Sequence, residues 1–116
     1  MAKNIRDDIV AKRRLRLEQL GHNEGADVPS ERQVPLTQFV GESGLICEIK
    51  RRSPSKGDIA PGLDACQQAA IYYNAGARNF SVLTEPEGFG GSLTDLMEVK
   101  RKFPDAAILR KDFLMD

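Results

Sequence analysis

The sequence predicts an α/β protein built around a parallel sheet. Three short apolar runs, LICEI (45–49), NFSVLT (79–84) and AAILR (106–110), alternate with two helical patterns. Strands joined by single helices form βαβ units, in which the strands are parallel and the crossovers right-handed. The runs are short and mostly apolar, which is typical of strands that are covered on both faces.

The two crossover helices have recognisable beginnings and ends. They correspond to LDACQQAAIYYNAGA (63–77) and SLTDLMEVKRKFP (92–104). Asp64 and Ser92 have side chains that accept hydrogen bonds from the first free backbone amides of a helix. Pro104 cannot continue a helix, so the second one is predicted to end before it.

Residues 1–44 are predicted to form an extension that precedes the strand–helix part, residues 45–116. Residues 4–20 have a helical pattern, with Asn4 as its cap and Gly21 after its end. Residues 21–35 are rich in Gly, Pro and polar residues, which is typical of a linker.

The helix of the extension carries a cluster of basic residues. Such a cluster can bind a polyanion, but apolar residues interrupt it, and we interpret it as a solvated face. The basic residues are Lys12, Arg13, Arg14 and Arg16, and the apolar ones are Ile9, Leu15, Leu17 and Leu20.

Composition and charge favour one small soluble domain. The chain has 116 residues, and its 17 basic and 17 acidic residues cancel, so no net field attracts it to nucleic acid or an anionic membrane. Without a long apolar run or a signal peptide, a cytoplasmic location is expected. Cys47 and Cys66 lack metal-binding spacing, so we expect reduced thiols and no metal site.

Two strands have charged residues at their carboxyl ends. Side chains alternate along a strand, so Glu48 and Lys50 share one face while Cys47 and Ile49 share the other. Lys111 ends the third strand. Parallel α/β sheets bind their ligands at this end, where two lysines and a carboxylate can bind an anion and transfer protons. Ordinary salt bridges at the rim are the alternative.

Two loops follow these strands and carry residues suited to a substrate. KRRSPSKGD (50–58) resembles a basic, phosphorylatable tail when it is taken alone, but it leads from a strand to a helix, which favours a substrate-facing loop. TEPEGFGGS (84–92) has glycines that permit unusual backbone geometry and present Phe89. A core position for Phe89 is the alternative.

Four segments together resemble one enzyme family. EIKRRSPSKG (48–57), SVLTE (81–85), FGGSLTDL (89–96) and LRKDF (109–113) are similar to the first three βα segments of indole-3-glycerol-phosphate synthase. The resemblance implies the amino-terminal part of a (β/α)8 TIM barrel of about 250 residues, with its site at the carboxyl ends of the strands. It also implies ring closure of 1-(2-carboxyphenylamino)-1-deoxyribulose 5-phosphate, with loss of carbon dioxide and water, without a cofactor or metal.

The resemblance also implies roles for individual residues. Lys111 matches the general acid that acts on the substrate carbonyl, and Lys50 matches a lysine that pairs with substrate anions. Glu48 matches the acidic residue that orients both lysines. The residues that match positions around the aromatic ring and in the signature loop are Phe89, Phe113 and Ser53.

The length of the chain leads to a further expectation. The later acid–base residues and phosphate loops of the family come from strands four to eight, so we expect this chain to be an inactive amino-terminal part. We also expect it to associate with other copies through its open sheet edges.

Two other functions remain open. A phosphate-binding barrel such as phosphoribosylanthranilate isomerase would need an Asp and a Cys, and Cys47 lies on the wrong face of its strand. A non-catalytic module could instead bind polyanions through four arginines, Arg13, Arg14, Arg51 and Arg52.

Overall fold

The computed structural model describes residues 4–39 and 45–114. In chain order its elements are α1 (Ile5–Leu20), β1 (Cys47–Ile49), β2 (Arg52–Ser53), β3 (Gly57–Asp58), α2 (Ala65–Asn74), β4 (Asn79–Leu83), α3 (Pro86–Phe89), α4 (Leu93–Lys102) and β5 (Ala107–Lys111).

The main sheet has the predicted parallel arrangement. Its strand order is β1-β4-β5, and both neighbouring pairs are parallel. Helices α2 and α4 connect the three strands, so the predicted α/β class is confirmed. The sequence did not predict the antiparallel β2–β3 hairpin or the single-turn helix α3, which lie inside the two loops.

The predicted helix caps are present. Asn4 Oδ1 accepts a hydrogen bond from the Arg6 amide at 2.9 Å. Asp64 Oδ1 accepts one from the Gln67 amide at 2.9 Å, and Ser92 Oγ accepts one from the Asp95 amide at 3.0 Å. These short polar side chains satisfy amides that have no partner within the helix, and they fix where each helix begins.

The core lies between one face of the sheet and helices α2 and α4. It contains Ile49 of β1, Phe80 and Val82 of β4, Ala69 of α2 and Val99 of α4. All five are at most 3% exposed. The face of the sheet that packs on the helices is therefore the one that carries Cys47 and Ile49, on the side away from Glu48.

The opposite face of the sheet carries the charged strand ends. Glu48 lies opposite Ser81, which lies opposite Leu109 in β5. Lys111 lies opposite Leu83, at the next position on the same face after Leu109 towards the carboxyl end of β5. Because side chains alternate along a strand, Glu48 and Lys111 share this second face.

The interpretation of α1 as a solvated basic face is wrong for two of its arginines. Arg13 is fully buried and Arg16 is 9% exposed, whereas Leu15 and Leu20 are each 53% exposed. The reason is that Arg13 and Arg16 each have carboxylates facing them, and paired charges can be buried at a tolerable cost.

Glu24 is one of those carboxylates, and it corrects the prediction of a simple linker. Its Oε1 accepts hydrogen bonds from Arg13 Nη1 at 3.0 Å and from Arg16 Nε at 3.1 Å. Arg13 also lies 3.6 Å from Asp112, just after β5. The turn at residues 21–25 therefore fastens α1 to the carboxyl end of the sheet.

The rest of the extension returns along α4. Residues 28–34 line a groove with Leu96 and Met97 of that helix. Thr37 Oγ1 donates to the carbonyl oxygen of Pro104 at 3.0 Å, close to the start of β5.

No helix in residues 4–39 and 45–114 has the length and apolar character needed to cross a bilayer.

Candidate active site

A carboxylate bridges two ammonium groups at the carboxyl ends of β1 and β5. Glu48 Oε1 accepts a hydrogen bond from Lys111 Nζ at 2.6 Å. Glu48 Oε2 lies 3.5 Å from Lys50 Nζ. The parallel register brings residues 63 positions apart into contact, as the alternation pattern predicted.

The three side chains remain accessible to a ligand. The exposed fractions are 31% for Glu48, 32% for Lys50 and 53% for Lys111. Burial acts to raise the pKa of Glu48, but the hydrogen bond and charge of Lys111, together with the charge of Lys50, outweigh it and hold that pKa below its ordinary value. Glu48 is therefore an anion at neutral pH and keeps both lysines in place.

This arrangement suits anion binding combined with proton donation. The cluster has two cationic groups for one carboxylate, so its charge attracts an anionic ligand. Each ammonium group can also donate a proton to an oxygen that gains electrons during a reaction. A substrate with a carboxylate, a phosphate or a carbonyl group fits this chemistry.

Two aromatic side chains lie together on the loops that follow β4 and β5. The ring centroids of Phe89 and Phe113 are 6.4 Å apart, with an angle of 30° between the ring planes. Both residues are half-buried, so the core position considered for Phe89 is wrong. They provide an apolar surface at the same end of the sheet as the lysines.

Ser53, the remaining predicted site residue, faces into its own hairpin. It is 7% exposed, and its Oγ accepts a hydrogen bond from the Lys56 amide at 3.2 Å. Its Oγ also lies 3.5 Å from the Ser55 hydroxyl. In this structure Ser53 shapes the β2–β3 turn.

Arg51, next to Lys50, joins the first loop to the second, whereas the sequence suggested it only as one of the arginines of the polyanion-binding alternative. Its Nε donates to the Leu63 carbonyl at 2.8 Å, and its Nη1 donates to the Gly90 carbonyl at 2.9 Å. Its Nη2 donates to Asp95 Oδ1 at 3.1 Å, and the hydrogen bond to Asp95 raises the pKa of the guanidinium.

Glu85 was also missed, although the sequence contains a signal for it. Glu85 is fully buried and occupies the N-cap of α3, immediately before Pro86 at the first helical position. A capping side chain followed by proline is a recognised helix start.

The two cysteines are thiols without a disulfide, and Cys47 packs against the helix-side core. It therefore lies on the face away from Glu48, as predicted. In the described part of the chain, no group of three or more His, Cys, Asp or Glu residues has the geometry of a metal site.

A parallel α/β sheet with a carboxylate and two lysines at the carboxyl ends of its strands places this chain among the α/β proteins whose candidate ligand site lies at that edge. The family model described as Indole-3-glycerol phosphate synthase matches residues 2–116. The chain belongs to the indole-3-glycerol phosphate synthase family.

Individual relatives support this membership. Indole-3-glycerol phosphate synthase of a Nocardioides species is 44% identical over 121 aligned positions, covering 97% of this chain and 46% of the relative. The enzyme of the same name from Saccharopolyspora erythraea is 47% identical over 90 residues, covering 78% of this chain and 33% of the relative. The enzyme of the same name from Bacteroides thetaiotaomicron is 38% identical, and the alignment covers 98% of this chain and 46% of the relative. The chain thus spans less than half the length of these relatives.

Proposed function

We propose that this chain supplies the first strand-end segments of an indole-3-glycerol-phosphate synthase active site. Residues 45–116 would be the first three strands and two helices of a (β/α)8 barrel, and residues 1–44 its helical extension. The reaction closes the ring of 1-(2-carboxyphenylamino)-1-deoxyribulose 5-phosphate, with loss of carbon dioxide and water, to give indole-3-glycerol phosphate. The single observation that carries the proposal is the Glu48 carboxylate bridging Lys50 and Lys111.

In the proposed reaction the two lysines, which both contact Glu48, have separate tasks. Ring closure forms a carbon–carbon bond to the substrate carbonyl, whose oxygen gains electrons and takes a proton from Lys111. Lys50 pairs with a substrate anion, which holds the reacting carbons together. A positioned acid typically contributes about 10² to 10⁴ in rate.

Glu48 and the two phenylalanines would prepare the site for this step. Glu48 contacts both ammonium groups and limits their movement before the substrate arrives. Phe89 and Phe113 supply apolar surface for the aromatic ring of the substrate. Ser53 would act by holding the shape of the first loop.

The two other functions fit the structure less well. The isomerase would need its cysteine in the site, but Cys47 packs on the core side of β1. A polyanion-binding surface would need free arginines, but Arg13 pairs with Glu24 and Arg51 pairs with Asp95. These pairs leave Arg14 and Arg52 as the exposed members of the set.

A chimera tests the proposal. Residues 1–116 replace the matched span of the Nocardioides relative, and the product is assayed with the carboxyphenylamino substrate and with phosphoribosylanthranilate. We expect indole-3-glycerol phosphate from the first substrate and no isomerisation of the second. The relative without its matched span is the inactive control. A folded chimera that forms no indole product would contradict the proposal, and salt-sensitive retention on nucleic acid would favour the binding module.

A further inference from the structure

The loop that carries Phe89 is held by one buried carboxylate, that of Glu85. Glu85 Oε1 accepts a hydrogen bond from the Glu87 amide at 3.0 Å. Its Oε2 accepts hydrogen bonds from the Gly88 amide at 2.6 Å and from the Phe89 amide at 3.0 Å. A single side chain therefore fixes three consecutive amides, and the last of them belongs to Phe89.

The surroundings of this carboxylate leave little room for another arrangement. Glu85 is fully buried, and its charge is balanced by the three amides and by Arg16 Nη1, 3.8 Å from Oε1. A Cβ atom at Gly88 would lie 3.0 Å from Glu85 Oε2 and 3.3 Å from Pro54 Cγ. The turn packs directly on the carboxylate.

We propose that Glu85 is a positioning residue of the substrate site, and that it acts by orienting Phe89. This inference rests on the proposed function. Without the carboxylate, the short α3 turn would sample several conformations, and binding would have to order it first. With the carboxylate, Phe89 is already placed beside Phe113 for the aromatic ring of the substrate. Misplacement of such a group by about 1 Å can cost up to about a hundredfold in rate.

The first part of the test measures the loop itself in the full chain, without substrate. Glu85→Gln keeps the size of the side chain but has one acceptor oxygen, and its NH₂ group would face a backbone N–H. We expect the Gly88 and Phe89 amides to exchange with solvent at least about tenfold faster than in the wild type. Glu98→Gln, an exposed change on α4, should leave these rates unchanged. Equal protection in Glu85→Gln would overturn the inference.

The second part measures the effect on the substrate in the chimera. Glu85→Gln should lower kcat/KM by about ten- to a hundredfold, mainly through KM, and Glu85→Asp should recover part of the loss. In a Phe89→Leu background, Glu85→Gln should change kcat/KM less than about twofold, because its target has already been removed. A purely structural role would give the same factor in both backgrounds, and that result would overturn the inference.

A second variant keeps the test decisive if Glu85→Gln fails to fold. Gly88→Ala pushes the turn away from the same oxygen, and it should speed exchange of the Phe89 amide and raise KM in a Phe89-dependent way. Unchanged exchange in Gly88→Ala would count against the inference. An inactive wild-type chimera would contradict the proposed function, while the exchange rates would still decide whether Glu85 holds the loop.

Discussion

At the scale of single residues, local rules predicted most of the cluster. The period of two along β1 placed Glu48 and Lys50 on one face, and the parallel register brought Lys111 to them. Glu85 was missed because its role depends on how the turn folds back on its carboxylate. Alternation along a strand gives no information about such a contact.

The pKa of Glu48 leads to a prediction for acid pH. Because its folded pKa lies below the unfolded value, Glu48 stabilises the fold above the unfolded pKa, and this contribution is lost as the pH falls through the folded value. The difference in free energy of unfolding between the wild type and Glu48→Gln should therefore shrink in acid. A ¹³C NMR titration of the Glu48 carboxyl should give a midpoint below the ordinary value.

Removing a lysine should reverse that shift. In Lys111→Met, only Lys50 remains to counter the rise in the Glu48 pKa that burial causes. The titration midpoint of the Glu48 carboxyl should therefore rise. Lys102→Met, an exposed change on α4, should leave it unchanged. A midpoint that is the same with and without Lys111 would show that the 2.6 Å ion pair does not persist in solution.

Lys50 should affect both binding and turnover. A charge that pairs with a substrate anion acts in the ground state as well as during the reaction, so Lys50→Met in the chimera should raise KM by about tenfold and also lower kcat. Steady-state kinetics at several substrate concentrations separates the two constants. An unchanged KM would remove Lys50 from the anion-binding role.

At the scale of the elements, the sequence predicted the bounds of α1 but not its environment. Its cap depends on neighbouring residues, and it is present. The burial of Arg13 and Arg16 depends on Glu24 in the turn after α1, and on Glu85 and Asp112, which lie far along the chain and reach the helix through the folded sheet. A basic helix considered alone therefore looked solvated.

The anchoring of α1 can be measured with two neighbouring arginines. Arg13→Ala leaves Glu24 and Asp112 with one cation fewer, and should lower the free energy of unfolding by about 3 kcal/mol. The exposed neighbour Arg14 is the matched control, and Arg14→Ala should change it by less than about 0.5 kcal/mol. Urea unfolding gives both values. An equal loss of free energy of unfolding in the two variants would show that the buried ion pairs of Arg13 do not stabilise the fold.

At the scale of the whole molecule, two strands have unpaired edges within the described residues. β1 and β5 each pair with β4 on one side. Leu109, on the charged face, is 43% exposed, and Ile71 on α2 is 63% exposed. Open edges and exposed apolar surface favour pairing with another chain. We propose that the isolated chain self-associates through this sheet.

A matched pair of leucines tests the association. Light scattering of the isolated chain should show a mass that grows with concentration. Leu109→Lys places a charge on the open face and should reduce the association, whereas Leu15→Lys on α1, equally a change of an exposed leucine, should not. A monomer at all concentrations would contradict the proposal.

Turnover of the chimera with and without Lys111 tests the central claim most directly. Lys111→Met removes the proposed acid, so kcat for indole-3-glycerol phosphate should fall by about 10² to 10⁴ with little change in KM. Lys102→Met makes the same substitution at an exposed site and should stay within about twofold of the wild type. Near-normal turnover in a folded Lys111→Met chimera would contradict the assignment of the Glu48–Lys50–Lys111 cluster as the catalytic centre.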